Sequence, residues 1–242
     1  RCNGPSKNKR RNRDWGFRLA EPLGGPLNKV IGASHEFHAE VFARGWSERF
    51  VPTPERLALF DRILQELQSA VPPGGRVVEL GIGPGYLARH LLEAAPEISY
   101  CGVDFSAPML ELAQGRLADW ADRLVLLRSD LIRDPWWDSV HRPVDAIVST
   151  WALHDLGGRD RTARVYGACC RLLRRDGVLL NGDFIEPEGA RHEFEAGRFP
   201  IGIHIGMLRR AGFRTAECLL VLEREIEAPT AAQNYACLKA VR

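Results

Sequence analysis

The chain has 242 residues, 45% hydrophobic and 26% charged, with a formal net charge of +2. That length suits one α/β domain with an N-terminal extension and can bury a substantial core. The overall charge argues for no partner, and no apolar run approaches the ~18–20 residues of a membrane span or the apolar stretch of a secretion signal.

Residues 1–34 open with Arg1, Lys7, Lys9, Arg10, Arg11 and Arg13, opposed by Asp14, among Gly, Pro and Asn. They read as a basic, irregular extension. From His35 to Trp46 the apolar positions Phe37, Val41, Phe42 and Trp46 follow helical spacing. A second helix starts behind Thr53 as N-cap, with Pro54 and Glu55 in its first turn and an apolar face of Leu57, Leu59, Phe60, Ile63, Leu64 and Leu67. Residues 35–70 are thus expected as a helical cap over the ligand edge of a sheet core, 76–242. In that core strand and helix alternate, the mark of a parallel sheet covered on both faces. Strands are expected at Arg76–Leu80, Ser99–Asp104, Leu124–Ser129, Val144–Thr150 and Val178–Phe184. Helices are expected from Tyr86, behind Ser106, behind Asp160 as a cap, and near Ile205–Ala211 before the C′ glycine Gly212. Thr215–Glu223 and Gln233–Val241 read as a closing antiparallel hairpin. The cysteines Cys2, Cys101, Cys169, Cys170, Cys218 and Cys237 form no C-x-x-C pair. Buried free thiols in a reducing, cytoplasmic setting are the favoured reading.

The most informative stretch is Glu79-Leu80-Gly81-Ile82-Gly83-Pro84-Gly85-Tyr86. Between a strand and a helix, glycines allow positive φ and let a ligand lie on bare backbone, while the helix start presents N–H groups. Gly81 and Gly83 fit the first two places of the dinucleotide fingerprint G-x-G-x-x-G, but the third falls on Tyr86. Asp104 ends the second strand about two dozen residues later, where a carboxylate accepts both ribose hydroxyls.

The E-x-G-x-G-x-G pattern resembles motif I of the class I S-adenosylmethionine-dependent methyltransferases. The order Glu79, Asp104, then Ser129-Asp130-Leu131 resembles that family too. So do Asp145–His154 as "D-x-[apolar]-x-S…LH" and Leu208–Phe213 as "L-x-x-A-G-F". The "L-x-x-G-G" lead-in to strand 5 has Asp176 in place of its first glycine. The resemblance covers residues 53–242. It implies a Rossmann-like, seven-stranded, mostly parallel sheet of order 3-2-1-4-5-7-6, the last strand antiparallel. It implies S-adenosylmethionine as cofactor and S-adenosylhomocysteine as product. Glu79, the Gly81, Gly83 and Gly85 backbone and the Ser149 carbonyl are then expected at the methionine portion. Asp104 takes the ribose, and Asp130, Leu131, Phe105 and Met109 surround the adenine.

Past strand 4, His154 stands where an imidazole can act as general base, with Asp155 as its orienting partner or a helix cap. Trp46, Trp151 and His204, with the irregular stretch Glu186–Ile203, are candidates for the acceptor pocket. His35 and His38 have ligand spacing but no evident third partner, so no metal is expected. Within the resembled family, strand 4 carries neither the Pro-Pro-aromatic segment of base-amine methylation nor the Pro-Cys nucleophile of cytosine methylation, and the paired-Glu loop of arginine methylation is missing. The favoured acceptor is therefore a small molecule, methylated by in-line displacement. An RNA-directed enzyme using the basic start is the second reading, and a donor-binding protein without turnover the third. A nicotinamide dehydrogenase trails because of Tyr86.

Overall fold

The computed structural model describes residues 35–190, 194, 196–230 and 232–242. The basic extension and Cys2 lie outside the described residues. Seven strands form one sheet in the order β3-β2-β1-β4-β5-β7-β6. They are β1 Arg76–Leu80, β2 Ser99–Asp104, β3 Leu124–Arg128, β4 Val144–Thr150, β5 Leu173–Phe184, β6 Thr215–Leu222 and β7 Tyr235–Val241. β1 pairs in parallel with β2 and β4, β2 with β3, and β4 with β5, whereas β7 runs antiparallel to β5 and β6. This is the topology the sequence implies.

Six α-helices are described: α1 Glu40–Arg49, α2 Pro54–Ala70, α3 Tyr86–Ala94, α4 Ala107–Arg116, α5 Arg159–Leu172 and α6 Ile201–Arg210. Alternation along the strands sends side chains to two separate cores. Val77, Ala146, Val148, Val178 and Leu180 pack with Leu59, Ile63, Leu87 and Leu91 of α2 and α3. Val78, Leu80, Ile147 and Leu179 pack on the other face with Tyr166, Cys169 and Leu208 of α5 and α6. α2 is thus layered on the sheet, and only its first two turns reach the ligand edge, through Arg56 and Phe60. Its face is narrower than the sequence suggests, because Leu57 is exposed.

Local chemistry explains the element ends. The Thr53 hydroxyl accepts the Arg56 N–H and the Ser106 hydroxyl accepts the Met109 N–H, which caps α2 and α4. At the end of α6, Gly212 adopts φ +103°. Its N–H donates to Arg209 and that of Phe213 to Leu208, the paired bonds of a Schellman ending.

Four boundaries differ from expectation. The segment from His35 is a 3-10 turn, Glu36–His38, then an extended Ala39, then α1. The Phe37 carbonyl accepts the Ser106 hydroxyl at 2.6 Å, a bond that ties this turn to α4 rather than into a continuous helix. Asp160 lies in the first turn of α5 and does not cap it; Gly158 holds the cap position. β5 begins at Leu173, carried past the left-handed Asp176 by a register shift against β4. α6 begins directly behind Pro200, about one turn earlier than expected. No helix among the described residues is long and apolar enough to cross a membrane.

Candidate active site

Successive strands are added outward on opposite sides of the boundary between β1 and β4, and ligands of such sheets lie at the strands' carboxyl ends beside that boundary. A cavity of about 350 Å³ opens there, within the range of small-molecule sites. It has two halves, one above β1–β3 and one above β4 and β5.

The first half is built largely from backbone. Gly81 and Ile82 both donate their N–H to the Val103 carbonyl, which folds the turn onto the end of β2. Gly81, Gly83 and Gly85 all have positive φ. A Cβ on Gly81 would overlap Ala152, whereas one on Gly83 would meet open space. Gly85 sits behind the cavity as the α3 N-cap, its bare Cα facing Leu117. Asp104 accepts the Gly83 N–H with Oδ2 at 2.8 Å and the Ser106 N–H with Oδ1 at 2.9 Å. One carboxylate therefore clamps the glycine turn to the start of α4 while lining the cavity. Burial pushes its pKa up to about 6, against the pull of those N–H groups.

Glu79 is buried and accepts a hydrogen bond from the Tyr100 hydroxyl at 2.8 Å. Burial raises its pKa to about 8; the Tyr100 bond lowers it and the Asp104 charge adds to the rise. Asp130 ends β3 and turns the chain, its Oδ1 accepting the N–H groups of Ile132 and Arg133. Asp130, Leu131, Phe105 and Met109 line the same cavity as Glu79, Gly81, Gly83 and Asp104. The three acids named from sequence thus converge on one crevice. Ser149 does not line it. Its hydroxyl donates to the Leu80 carbonyl inside the sheet, and Thr150 takes the exposed place.

The second half is built from side chains. Trp46, Phe50 and Phe37 come from the 36–50 segment, Trp151 and His154 from beyond β4, and Phe184 from the end of β5. Trp46 stacks on Phe50 with centroids 4.2 Å apart, and Phe50 meets Trp151 edge-on. Trp151 holds φ at +48°, a strained value for a bulky residue.

His154 places Nδ1 2.7 Å from Oδ1 of Asp183, whose Oδ2 accepts the His154 backbone N–H at 3.0 Å. A buried carboxylate gripping ring and backbone together fixes the tautomer with its proton on Nδ1 and leaves Nε2 as the basic nitrogen. Nε2 lies 3.3 Å from Asp155. Burial alone lowers the His154 pKa, but the Asp183 charge and hydrogen bond, with Asp155, outweigh it and the net shift is upward.

The sequence did not single out Asp183. Its signal was an acid closing the apolar run Leu179–Ile185, at the carboxyl end of the strand next to β4. Gly197 is a second omission: a Cβ there would overlap the His154 carbonyl. That places Gly197 against the His154 backbone, and none of the described residues of the Glu186–Ile203 stretch lines the cavity. His204 is likewise absent from the acceptor wall. It is buried, with Nδ1 2.9 Å from the Tyr166 hydroxyl, because the earlier start of α6 turns it into the core. Among the described residues no group of three or more His, Cys, Asp or Glu side chains is placed to hold a metal.

A family model described as a methyltransferase domain matches residues 78–179, from β1 into β5. An uncharacterized methyltransferase of Anoxybacillus flavithermus is 32% identical over 126 residues, which are 52% of this chain and 55% of that protein. Over these residues the chain is similar to methyltransferase domains. A malonyl-acyl-carrier-protein O-methyltransferase of Magnetococcus marinus is 34% identical over 109 residues, 45% of this chain and 38% of that protein. The chain therefore spans about half or less of the length of these relatives. Human N-acetylserotonin methyltransferase, solved with S-adenosylmethionine, shares the fold, with a TM-score of 0.63 at 14% identity over 93% of this chain and 62% of that one.

The residues at this crevice fit S-adenosylmethionine, the cofactor of the family that the sequence resembles. The turn borders open space at Gly83, Asp104 brings a carboxylate to the end of β2, and Asp130 and Leu131 face the same cavity.

Proposed function

We propose that the chain transfers a methyl group from S-adenosylmethionine to a hydroxyl of a small molecule, with His154 as general base. One observation carries this reading: the Asp183–His154 pair, 2.7 Å apart, stands at the crevice beyond β4, across the sheet switch from the three acids. A similar protein, a demethylmenaquinone methyltransferase of Thermotoga maritima, is in keeping with a small-molecule acceptor.

Glu79 and the Gly81–Gly85 backbone would hold the methionine portion, Asp104 the ribose, and Asp130 with Leu131, Phe105 and Met109 the adenine. When bound, the cofactor supplies an electrophilic methyl carbon whose bonding pair leaves with sulfur. Much of the rate of such a displacement comes from alignment at near-attack distance. A hydroxyl must also lose a proton as it attacks, and Nε2 of His154 receives it. Asp183 keeps the ring turned so that Nε2 faces the crevice, and its charge steadies the imidazolium that forms. Phe37, Phe50 and Trp151 exclude water around the accepting oxygen.

The test is a screen with a labelled methyl donor across hydroxyl, amine and carboxyl small molecules and RNA. Transfer to hydroxyl compounds, lost in His154→Ala, is the expected result. Transfer only to RNA, or to amines at the same rate in His154→Ala, would overturn it.

A further inference from the structure

The acceptor half holds one cation that the transfer chemistry does not use. Arg56 is the third residue of α2, its backbone fixed by the Thr53 cap. Its guanidinium lies over Phe50, Cζ 3.6 Å from the ring centroid, and 5.4 Å from the centroid of Trp151. Phe50 in turn stacks on Trp46, so Trp46, Phe50 and Arg56 form a three-layer stack that holds the guanidinium plane on the cavity wall. Stacking uses the face of the fork and leaves its in-plane N–H edge for recognition. Among the described residues that edge meets no hydrogen-bond acceptor and no carboxylate within ion-pair distance. The groups that favour its charge are Tyr235 and then Glu223, whose Oε1 accepts the Tyr235 hydroxyl at 3.0 Å. A half-buried guanidinium on an apolar wall loses water without gaining a partner, and a ligand carboxylate restores both hydrogen bonds in bidentate geometry.

The geometry points to an acceptor that is a hydroxyaromatic carboxylate, its carboxylate paired with Arg56 and its hydroxyl at His154. The inference rests on the hydroxyl-transfer reading above and adds the class of acceptor. The rings of Phe37, Trp151 and Phe184 line the cavity and suit a planar body between the two polar ends.

The test is equilibrium binding to the protein loaded with S-adenosylhomocysteine, read by tryptophan fluorescence. The probes are 4-hydroxybenzoate, 4-hydroxyphenylacetate and 4-hydroxycinnamate, each beside its uncharged methyl ester. At least one acid should bind roughly tenfold or more tighter than its ester, the scale of a lost charge-assisted pair. Arg56→Met should erase that preference and leave the affinity for the ester unchanged, and Arg56→Lys should keep part of it. Unchanged S-adenosylhomocysteine affinity confirms that both variants are folded. Equal binding of acids and esters, a preference that survives Arg56→Met, or binding of no probe overturns the assignment. Methyl transfer measured in parallel separates the two claims. Acids that bind through Arg56 but are never methylated sink the hydroxyl-transfer reading alone. Esters methylated in a His154-dependent way without an acid preference sink the Arg56 assignment alone.

Discussion

The two halves of the crevice are built by different means. Above β1–β3, every polar group named except Glu79, which Tyr100 holds, is fixed by backbone bonds made within its own turn or to the next strand. Asp104 holds Gly83 and Ser106, Asp130 holds Ile132 and Arg133, and Val103 holds Gly81 and Ile82. Above β4 and β5, position comes from side chains meeting across long separations: Phe50 on Trp151, and His154 on Asp183, 29 residues later. The first construction makes a rigid polar cradle. The second makes an aromatic chamber whose shape follows its side chains, so acceptor selectivity can change there without disturbing the cradle.

If the halves are separable, the largest effect comes from the second. His154→Ala should lower kcat by about 10²–10⁴-fold, the usual worth of a general base, with donor affinity unchanged by calorimetry. A rate within a few-fold of the parent would remove His154 from the chemistry. The pH profile sharpens the point. A base must be neutral to act, and the His154 pKa is raised above 6.5, so kcat/KM should climb with pH through a value above 6.5. The stability contributed by the Asp183–His154 pair runs the other way. It is complete below pH 6.5 and is lost as pH rises through the raised pKa. Asp183→Asn should move the kcat/KM rise to lower pH and remove most of the stability trend.

Asp104→Ala is the complementary variant. It removes the proposed ribose acceptor and also strands the Gly83 and Ser106 N–H groups, so donor binding should weaken by about 2–3 kcal/mol. Acceptor binding, read by tryptophan fluorescence, should hold. Unchanged donor affinity would refute the ribose role, and equal loss on both sides would refute the separation of halves.

The same division decides what the sequence reveals. The cradle is legible because its signals are local: three alternate glycines, an acid at each strand end, a capping serine before α4. The strand order followed from that family pattern and stands in the structure. The chamber is legible only in part. Trp46, Trp151 and His154 line it, but Asp183 and Arg56 were missed. Asp183 gains meaning only when β5 pairs with β4, and Arg56 only when α2 is layered on the sheet with its first turn at the rim. His204 was misplaced because a start of α6 one turn earlier rotates that side chain from the crevice into the core.

A smaller test concerns the glycines. Alanine at a left-handed position costs about 1–2 kcal/mol for the backbone alone. Gly83→Ala should show little more than that in chemical denaturation, because its Cβ meets open space. Its main effect should be on donor affinity, since the methyl enters the cavity. Gly81→Ala adds an overlap with Ala152 and should lose clearly more stability. Equal losses at both positions would mean that the turn relaxes and is not the rigid frame described here. Gly197→Ala should push on the His154 carbonyl and lower kcat while sparing donor affinity.

The smallest expected effect is a proton. Glu79, with a pKa near 8 set by burial, is mostly protonated at neutral pH in the ligand-free protein. A cationic donor seated beside it favours the charged form, so binding near pH 7 should release a fraction of a proton. Donor affinity should then rise with pH toward 8 by at most about tenfold per pH unit. Calorimetry in buffers of different ionisation enthalpy reads that proton directly. The ligand-free protein should respond oppositely. A carboxyl whose folded pKa is raised stabilises most below its unfolded value, 4.5, and that stability drains away as pH climbs to about 8. Glu79→Gln still accepts the Tyr100 hydroxyl but cannot ionise. It should therefore melt above the parent at about pH 9, match it near pH 5, and bind donor without pH dependence from this site. Asp104, raised to about 6, contributes a slope of the same sign at lower pH, so the difference between variant and parent must be read above pH 6 to belong to Glu79. If no proton is released and the two melting curves track each other at every pH, Glu79 is ionised throughout, and the cradle meets its donor with both charges already in place.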